Sequence, residues 1–379
     1  MKLWNMFRER RVLIRVTVFF SFLLLSSGYV LTSQPHESIV EAEQHQLNAE
    51  NNKNHEQFEP GTFMFDHIGD SHEWHIINIK NTTISIPLPV ILYSREKGVV
   101  LFLSSKFRHG HSEYKGFRLE TEGVNKGKII ETRKDGTEAV PFDISITKNV
   151  AALLFSVIII LFIFIRVANA YKRDPLTPPK GLQSLLEPVI LFIRDDVAKT
   201  SIGEKKYEKF MPYLLTIFFF ILINNLLGLV PFFPGGANVT GNIAVTMVLA
   251  LFTFIFTTIN GNKNYWRHIF NTPGVPFWLK LPLPIMPVVE LMGIFTKPFV
   301  LMIRLFANIT AGHIIGLGFL SLIFLFGQMN QYLGIGISVV SVSFMIFMTF
   351  LELLIAFIQA YVFTFLSALY FGMAVEEHH

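Results

Sequence analysis

Seven charged or amide side chains lie inside two long apolar stretches near the C-terminus. They are Glu290, Lys297, Arg304, Asn308 and His313 in the first stretch, and Glu352 and Gln359 in the second. Ionisable residues at membrane depth are costly and by default mark an ion or proton path. Arginine keeps its proton and acts as a fixed positive charge, whereas His313 and Glu352 can exchange protons near physiological pH. Titratable groups beside a barrier that does not titrate predict a two-part proton path.

The spacing of these residues predicts how the two stretches pair. Glu290, Lys297 and Arg304 are seven apart, as are Glu352 and Gln359, so each set shares one helix face. In an antiparallel hairpin, residues that face each other lie equally far from the turn. The midpoint between Arg304 and Gln359 and the midpoint between His313 and Glu352 both fall near residue 332. The polar segment 327–331 lies there. We therefore expect Arg304 level with Gln359, and His313 level with Glu352.

Both stretches are too long for an upright membrane helix. Residues 287–327 and 335–375 each span about 41 positions, or roughly 60 Å of helix, whereas an upright span needs about 20 residues. Each helix is therefore either broken or strongly tilted in the bilayer. Because no proline follows Pro298 in either stretch, the sequence favours a long tilted antiparallel hairpin.

The composition excludes an ordinary soluble protein. Hydrophobic residues make up 51% of the 379 residues, charged residues 16%, and mean hydropathy is +0.46, whereas soluble chains carry about 25% charged residues. Further spans are predicted over residues 150–165 (extended to 168), 212–233 and 243–259, and an amphipathic surface helix over 182–198. The fold class is thus an all-α polytopic membrane protein of about five membrane helices.

The positions of the basic residues predict the orientation. Those that follow the first span, and those in the connection 261–280, are Arg166, Lys172, Arg173, Lys263, Arg267 and Lys280, whereas the loop 234–242 has no Lys or Arg. Basic loops mark the cytoplasmic side. The first span then runs inward and the C-terminus is cytoplasmic. Topology accounts for the net charge of +4, and we expect no nucleic-acid partner.

The N-terminal part divides into three predicted segments. Residues 1–33 have a basic start and a short apolar run, typical of a secretory signal or an uncleaved anchor, and 34–61 form a polar linker. Residues 62–147 carry short β-branched and aromatic runs at 76–79, 82–86, 90–93 and 99–103, which predict a small β-rich extracytoplasmic region. It is rich in histidine, but the spacing matches no strong metal signature, so we expect no metal or cofactor.

Alternative interpretations stay open for several of these residues. Lys297 and Glu290 could reach the membrane interface by snorkelling, His313 and Glu352 could be a plain interhelical pair, and Arg304 could be structural. A different function is a secondary transporter that binds an anionic substrate at Arg304. A further alternative is a membrane anchor for the extracytoplasmic region. It would leave the matching polar positions unexplained.

A specific motif lies in the first long stretch. The run Thr296-Lys-Pro-Phe-Val-Leu-Met-Ile-Arg304-Leu-Phe-Ala-Asn308-Ile-Thr-Ala-Gly-His313 resembles the arginine-bearing helix of subunit a of bacterial F-type ATP synthases. Supporting runs are 225–231, 240–246, 359–363 and 373–377. The resemblance covers roughly residues 140–379, and the β-rich extension is outside the usual core.

The resemblance implies a stationary inner-membrane subunit beside a rotating ring of c subunits, with two offset half-channels and b subunits of a peripheral stalk as further partners. Arg304 resembles the arginine that faces the ring carboxylate, and Gln359 its neighbour. Asn308, His313 and Glu352 resemble groups of the outer half-channel, Glu290 resembles the inner acid, and Lys297 and Asn225 are secondary candidates. Glu352 and His313 are interchanged relative to some bacterial members, and Gly228 replaces an aspartate. The resemblance implies no catalysis by the chain alone.

Overall fold

A computed structural model describes most of the chain. The described residues are 59–79, 82–121, 123, 125–133, 135–173, 178–231, 233–270 and 285–376. The predicted signal or anchor, and all but the last three residues of the predicted linker, lie outside the described residues.

The N-terminal region is built from antiparallel strands, and all four predicted runs are strands. Its elements are α1 (Pro60–Ile68), β1 (Glu73–Ile79), β2 (Thr82–Pro87), β3 (Pro89–Ser94), β4 (Gly98–Leu103), a 3-10 turn (Ser104–Phe107), β5 (Phe117–Leu119), β6 (Ile129–Thr132), β7 (Glu138–Ala139) and β8 (Phe142–Asp143). They form sheets of order β1-β2, β4-β3-β8 and β5-β6-β7. Alternate side chains of β3 and β4 point inward onto Phe107 and Phe117, as a half-buried strand requires.

Helix α1 was not foreseen from the sequence, and it joins this region to the rest of the molecule. Phe63 packs against Phe324, with ring centroids 6.1 Å apart. In β1, Trp74 packs edge-on against Phe233 of the helical part, with ring centroids 5.1 Å apart. Trp74 is 4% exposed and belongs to the main hydrophobic core. The β-rich region therefore docks onto one end of the helical part.

The helical part follows the predicted order. Its elements are α2 (Lys148–Arg173), α3 (Leu182–Phe192) with a π-helical continuation (Ile193–Lys199) and a last turn (Thr200–Ile202), α4 (Tyr207–Leu229), α5 (Ile243–Asn260), α6 (Lys263–Phe270), α7 (Ile285–Met329) and α8 (Gln331–Val375). Five of them, α2, α4, α5, α7 and α8, are long and apolar enough to cross a membrane. The predicted all-α polytopic fold with a β-rich N-terminal region is confirmed.

Helix α4 ends four residues before the predicted span does. Val230 has an extended backbone (φ −81°, ψ 115°), because the residue before a proline is disfavoured in the helical region. Pro231 therefore ends the helix, and the chain turns back through Gly235 and Gly236. A Cβ on Gly235 would lie 2.4 Å from the carbonyl oxygen of Val230, so only glycine permits this turn.

The basic connections and the end of α8 meet at the same end of the molecule. Lys206, which precedes α4, donates from Nζ to the carbonyl oxygen of Val375 at 2.8 Å. Asn262, between α5 and α6, donates its backbone N–H to the carbonyl of Ala374 at 2.9 Å. The β-rich region lies at the opposite end, where α1 packs against α7 at Gly318 and Phe324.

Helices α7 and α8 form an unbroken antiparallel hairpin. Each has 45 residues, or about 68 Å of helix, more than twice a hydrocarbon core of about 30 Å. The turn is Asn330, whose side chain accepts from the backbone N–H of Tyr332 at 2.9 Å. Phe319 and Phe344 stack across the pair at 5.1 Å. The prediction of continuous rather than broken helices is confirmed.

The hairpin turn depends on a close backbone approach. A Cβ on Gly334 would lie 2.7 Å from the Cα of Gly327, whereas a Cβ on Gly336 would meet nothing within 4 Å. We expect Gly334→Val to lower the free energy of unfolding by about 1–3 kcal/mol, because the helices must separate. Gly336→Val carries the same helix-propensity cost without the clash. Thermal unfolding of the two purified chains measures the difference, and equal losses would contradict it.

Candidate functional site

His313 of α7 and Glu352 of α8 face each other across the hairpin. His313 Nδ1 lies 3.8 Å from Glu352 Oε1, and the side chains are 20% and 16% exposed. The predicted register between the two helices is therefore confirmed at this pair. Glu352 Oε1 is buried and has no hydrogen-bond partner among the described residues. A buried carboxylate oxygen of this kind needs a water molecule or a proton, which suits a group that accepts and releases protons.

Two glycines shape the surroundings of this pair. A Cβ on Gly312 would lie 2.8 Å from Glu352 Oε1, so the carboxylate occupies the space that a side chain at Gly312 would fill. On α4, a Cβ on Gly228 would lie 3.7 Å from His313 Nε2. The position where the resemblance leads one to expect an aspartate thus faces His313 directly, without an acid. The role of Gly312 was not predicted from the sequence, although small residues are typical of close helix contacts in membranes.

Asn225 holds α4 against α8 near the same level. Its Nδ2 donates to the carbonyl oxygen of Ala356 at 3.1 Å. Its Oδ1 accepts from Thr240 Oγ1 at 2.6 Å. Asn225 and Thr240 are 3% and 1% exposed. Because buried amides that keep their partners rigidify a core, Asn225 fixes α8 one turn beyond Glu352.

Arg304 and Asn308 lie on an exposed face of α7, whereas Gln359 of α8 is 7% exposed. The register set by His313 and Glu352 puts Arg304 and Gln359 within about 3 Å of the same level. The two side chains differ in exposure, because Gln359 packs into the helical core and Arg304 points out of it. A guanidinium on an apolar exposed face is costly in hydrocarbon.

Glu290 and Lys297 lie at the other end of α7, near α6 and the end of α8. Glu290 Oε1 is 4.0 Å from Nδ1 of His268 on α6. Lys297 Nζ lies 5.6 Å from the ring centroid of Tyr370 and lines a small cavity with Tyr265 and Tyr370. Lys297 therefore packs against α8 within the described structure. Neither α6 nor the approach of His268 to Glu290 was predicted.

The predicted residues thus fall into two groups. His313, Glu352 and Asn225 come together on the side of the β-rich region, and Glu290 and Lys297 on the side of the C-terminus. Arg304 lies between the groups along α7, 14 residues from Glu290 and 9 from His313. Within the described residues, no three His, Asp or Glu side chains are clustered to hold a metal ion.

Comparisons with known proteins support a single family. A family model described as ATP synthase A chain matches residues 150–372. A second model, described as Domain of unknown function (DUF8433), matches residues 63–150.

Three relatives of the chain are named ATP synthase subunit a. One from Chloroherpeton thalassium is 47% identical over 62% of this chain and 69% of its own length. One from Chlorobium phaeobacteroides is 47% identical over 71% and 79%. One from Myxococcus xanthus is 43% identical over 72% and 86%.

The register at the histidine–glutamate pair can be tested with disulfides, because the chain has no cysteine. A Cβ on Gly312 would lie 3.2 Å from Glu352 Cγ, whereas a Cβ on Gly316 would meet nothing within 4 Å. Since a disulfide needs Cβ atoms about 3.8 Å apart, Gly312→Cys with Glu352→Cys should lose both free thiols on mild oxidation in membranes. Gly316→Cys with Glu352→Cys should keep them. Thiol labelling measures this, and the reverse pattern would overturn the register.

Proposed function

The chain belongs to the ATP synthase A chain family, the subunit a of F-type ATP synthases, and from this membership we propose that it forms two proton half-channels against a ring of c subunits. As a member of that family it is a multi-pass membrane component of the ATP synthase that takes part in proton transport for ATP synthesis. We propose its half-channels, its orientation in the membrane and its individual partners in the paragraphs below.

The exposed face of the long hairpin supports a ring as partner. Arg304 and Asn308 are exposed there among large apolar side chains. Those that are well exposed include Phe299, Val300 and Ile303 on α7, and Leu353, Leu354 and Phe357 on α8. An arginine facing lipid would carry a large cost. A partner that brings a carboxylate to Arg304 removes this cost, since a fixed cation stabilises the ionised carboxylate.

The outer half-channel is assigned to Asn308, His313 and Glu352. His313 and Glu352 are within 3.8 Å, and they lie on the side of the β-rich region, which we place outside the cytoplasm. A proton from that side passes these groups to an empty ring carboxylate beside Asn308. Asn225 acts as a positioning residue, because its hydrogen bond to Ala356 fixes the helix that carries Glu352.

The inner half-channel is assigned to Glu290, with Lys297 and His268 as neighbours. Glu290 lies near the C-terminal end of α8, which we place on the cytoplasmic side with the basic connections. The pairing of Glu290 with His268 at 4.0 Å gives a released proton an acceptor near that surface. The peripheral-stalk b subunits would hold the chain still while the ring turns.

Arg304 separates the two half-channels in this proposal. The guanidinium stays protonated, so a proton that reaches it from either side meets a positive charge in a medium of low dielectric. A ring carboxylate arriving beside Arg304, with Gln359 at the same level, releases its proton toward Glu290. Because the proton can cross only on a moving carboxylate, flow and rotation are coupled. The chain alone catalyses nothing.

The exposed position of Arg304, between the two polar groups on α7, carries this proposal, and its replacement tests it. We expect Arg304→Ala to reduce ATP-driven proton pumping by about 10²-fold or more, because the charge that displaces the ring proton is lost. Arg304→Lys should also pump poorly, since a lysine lacks the rigid fork. Pumping in membrane vesicles, normalised to assembled complex, measures both.

Arg166→Ala is the matched control, because Arg166 is also exposed and lies near the cytoplasmic end of α2. It should pump at close to the wild-type rate. Normal pumping by an assembled Arg304→Ala complex would refute the assignment. Substrate uptake by the purified chain alone would instead favour the secondary transporter.

A further inference from the structure

The β-rich region places an acid and a buried lysine at the outer end of the assigned path. Asp70 follows α1, and its Oδ1 accepts from the backbone N–H groups of Ser71 at 2.9 Å and Asn149 at 3.0 Å. Lys148 begins α2 and is 8% exposed. Its Nζ donates to the carbonyl oxygen of His67 at 3.4 Å. Asp70 therefore caps the first turn of α2, and Lys148 is buried where the β-rich region meets the helical part.

Lys148 lies close to the acid and to the helix that carries His313. Asp70 accepts from the backbone N–H of Asn149, the residue after Lys148. The His67 carbonyl that accepts from Lys148 Nζ is at the end of α1, and α1 packs against α7, where Met64 Sδ lies 3.9 Å from the position of a Cβ on Gly318, five residues beyond His313. Because charges interact strongly where water is excluded, an unbalanced ammonium at this place would disfavour a proton on His313. The negative charge of Asp70 offsets that effect.

The other groups around Lys148 do not replace Asp70. Asp143 is committed to His72, 2.8 Å away. Burial alone would raise the pKa of Asp143, but the hydrogen bond and charge of His72, with help from Ser145, lower it. His67 and His75 are neutral or cationic, and α4 presents Gly228. Glu73 is likewise committed, because its Oε2 lies 2.6 Å from Nδ1 of His109. Among the acids at this junction whose side chains are described, Asp70 is then the one left to balance the lysine, with Glu352 lying deeper beside His313.

The junction and the histidine–glutamate pair each contain a buried polar atom without a partner. Asn149 Oδ1 and Glu352 Oε1 are buried and have no hydrogen-bond partner among the described residues. Asn149 itself is 2% exposed. Buried polar atoms of this kind are normally satisfied by ordered water. A hydrated connection from Asn149 to Glu352 would accommodate both.

We propose that Asp70 and Lys148 form a charge-balanced outer gate, through which protons enter the half-channel from the β-rich region. The inference rests on the proposed function and adds two positioning residues to it. It gives the β-rich region a role in proton supply. Burial raises the pKa of Asp70, and the backbone hydrogen bonds from Asn149 and Ser71 and the charge of Lys148 oppose this rise.

Asp70→Asn separates the gate from a plain helix cap. Asparagine caps a helix as well as aspartate does, so the fold should hold while Lys148 loses its balancing charge. In proteoliposomes of the whole complex with an imposed proton gradient, ATP synthesis per assembled complex should fall about tenfold. Its midpoint against the pH on the outer side should move to lower pH. Asp135→Asn is the control, because Asp135 accepts from the backbone N–H of Thr137 in an exposed turn.

The double variant tests the charge balance. Asp70→Asn with Lys148→Met should recover most of the rate and the wild-type pH profile, because the unbalanced ammonium is gone. Lys148→Met alone should be at least as fast as the wild type. If the single Asp70→Asn complex fails to assemble, these two variants decide the question, and a slow Lys148→Met complex would overturn the gate.

Failure of the gate is distinguishable from failure of the proposed function. A wild-type rate and pH profile for Asp70→Asn, with Arg304→Ala inactive, would make Asp70 a helix cap and leave the half-channels intact. A double variant no faster than Asp70→Asn would also overturn the gate. Normal pumping by Arg304→Ala would remove the proposed function itself.

Discussion

The close approach of α7 and α8 at Gly312 is the constraint on which the polar path depends. Glu352 fills the space that a side chain at Gly312 would need, and this brings its carboxylate within 3.8 Å of His313. An ionisable pair in a membrane interior is tolerable only when each member has a partner or water. The hydrogen bond of Asn225 to the backbone of α8 keeps the register of that approach.

The length of the hairpin follows from the same constraint. A pair of 45-residue helices carries polar groups near both ends and still leaves an apolar stretch around Arg304. The side chains on that stretch are exposed and large, so the surface requires a cover of matching polarity. A ring of helices that each carry one carboxylate would supply both the apolar cover and the counter-charge. In the proposed function, coupling then follows from electrostatics, since the arginine cannot give up its proton.

The β-rich region is integrated with this path. Trp74 enters the main core, Phe63 lies against the hairpin, and Asp70 caps α2. We propose that a region attached in this way takes part in proton supply to His313. In our proposal, the carboxylate of Asp70 balances the charge of Lys148 at the outer end of this path.

The sequence by itself determined the features that have a period or a length. Apolar runs predicted the spans, alternation predicted four strands, and the common centre of two residue pairs predicted that His313 meets Glu352. Each of these predictions depends on residue spacing, which can be read directly from the sequence.

The tertiary structure alone decided the contacts between segments that share no spacing. Gly228 faces His313, His268 meets Glu290, and Asp70 caps α2 from 79 residues away. The tertiary structure also decided that Gln359 is buried and Arg304 is exposed, because neighbouring helices determine which side of each helix is covered. Such contacts arise from the packing of distant elements, and no periodicity along the chain records them.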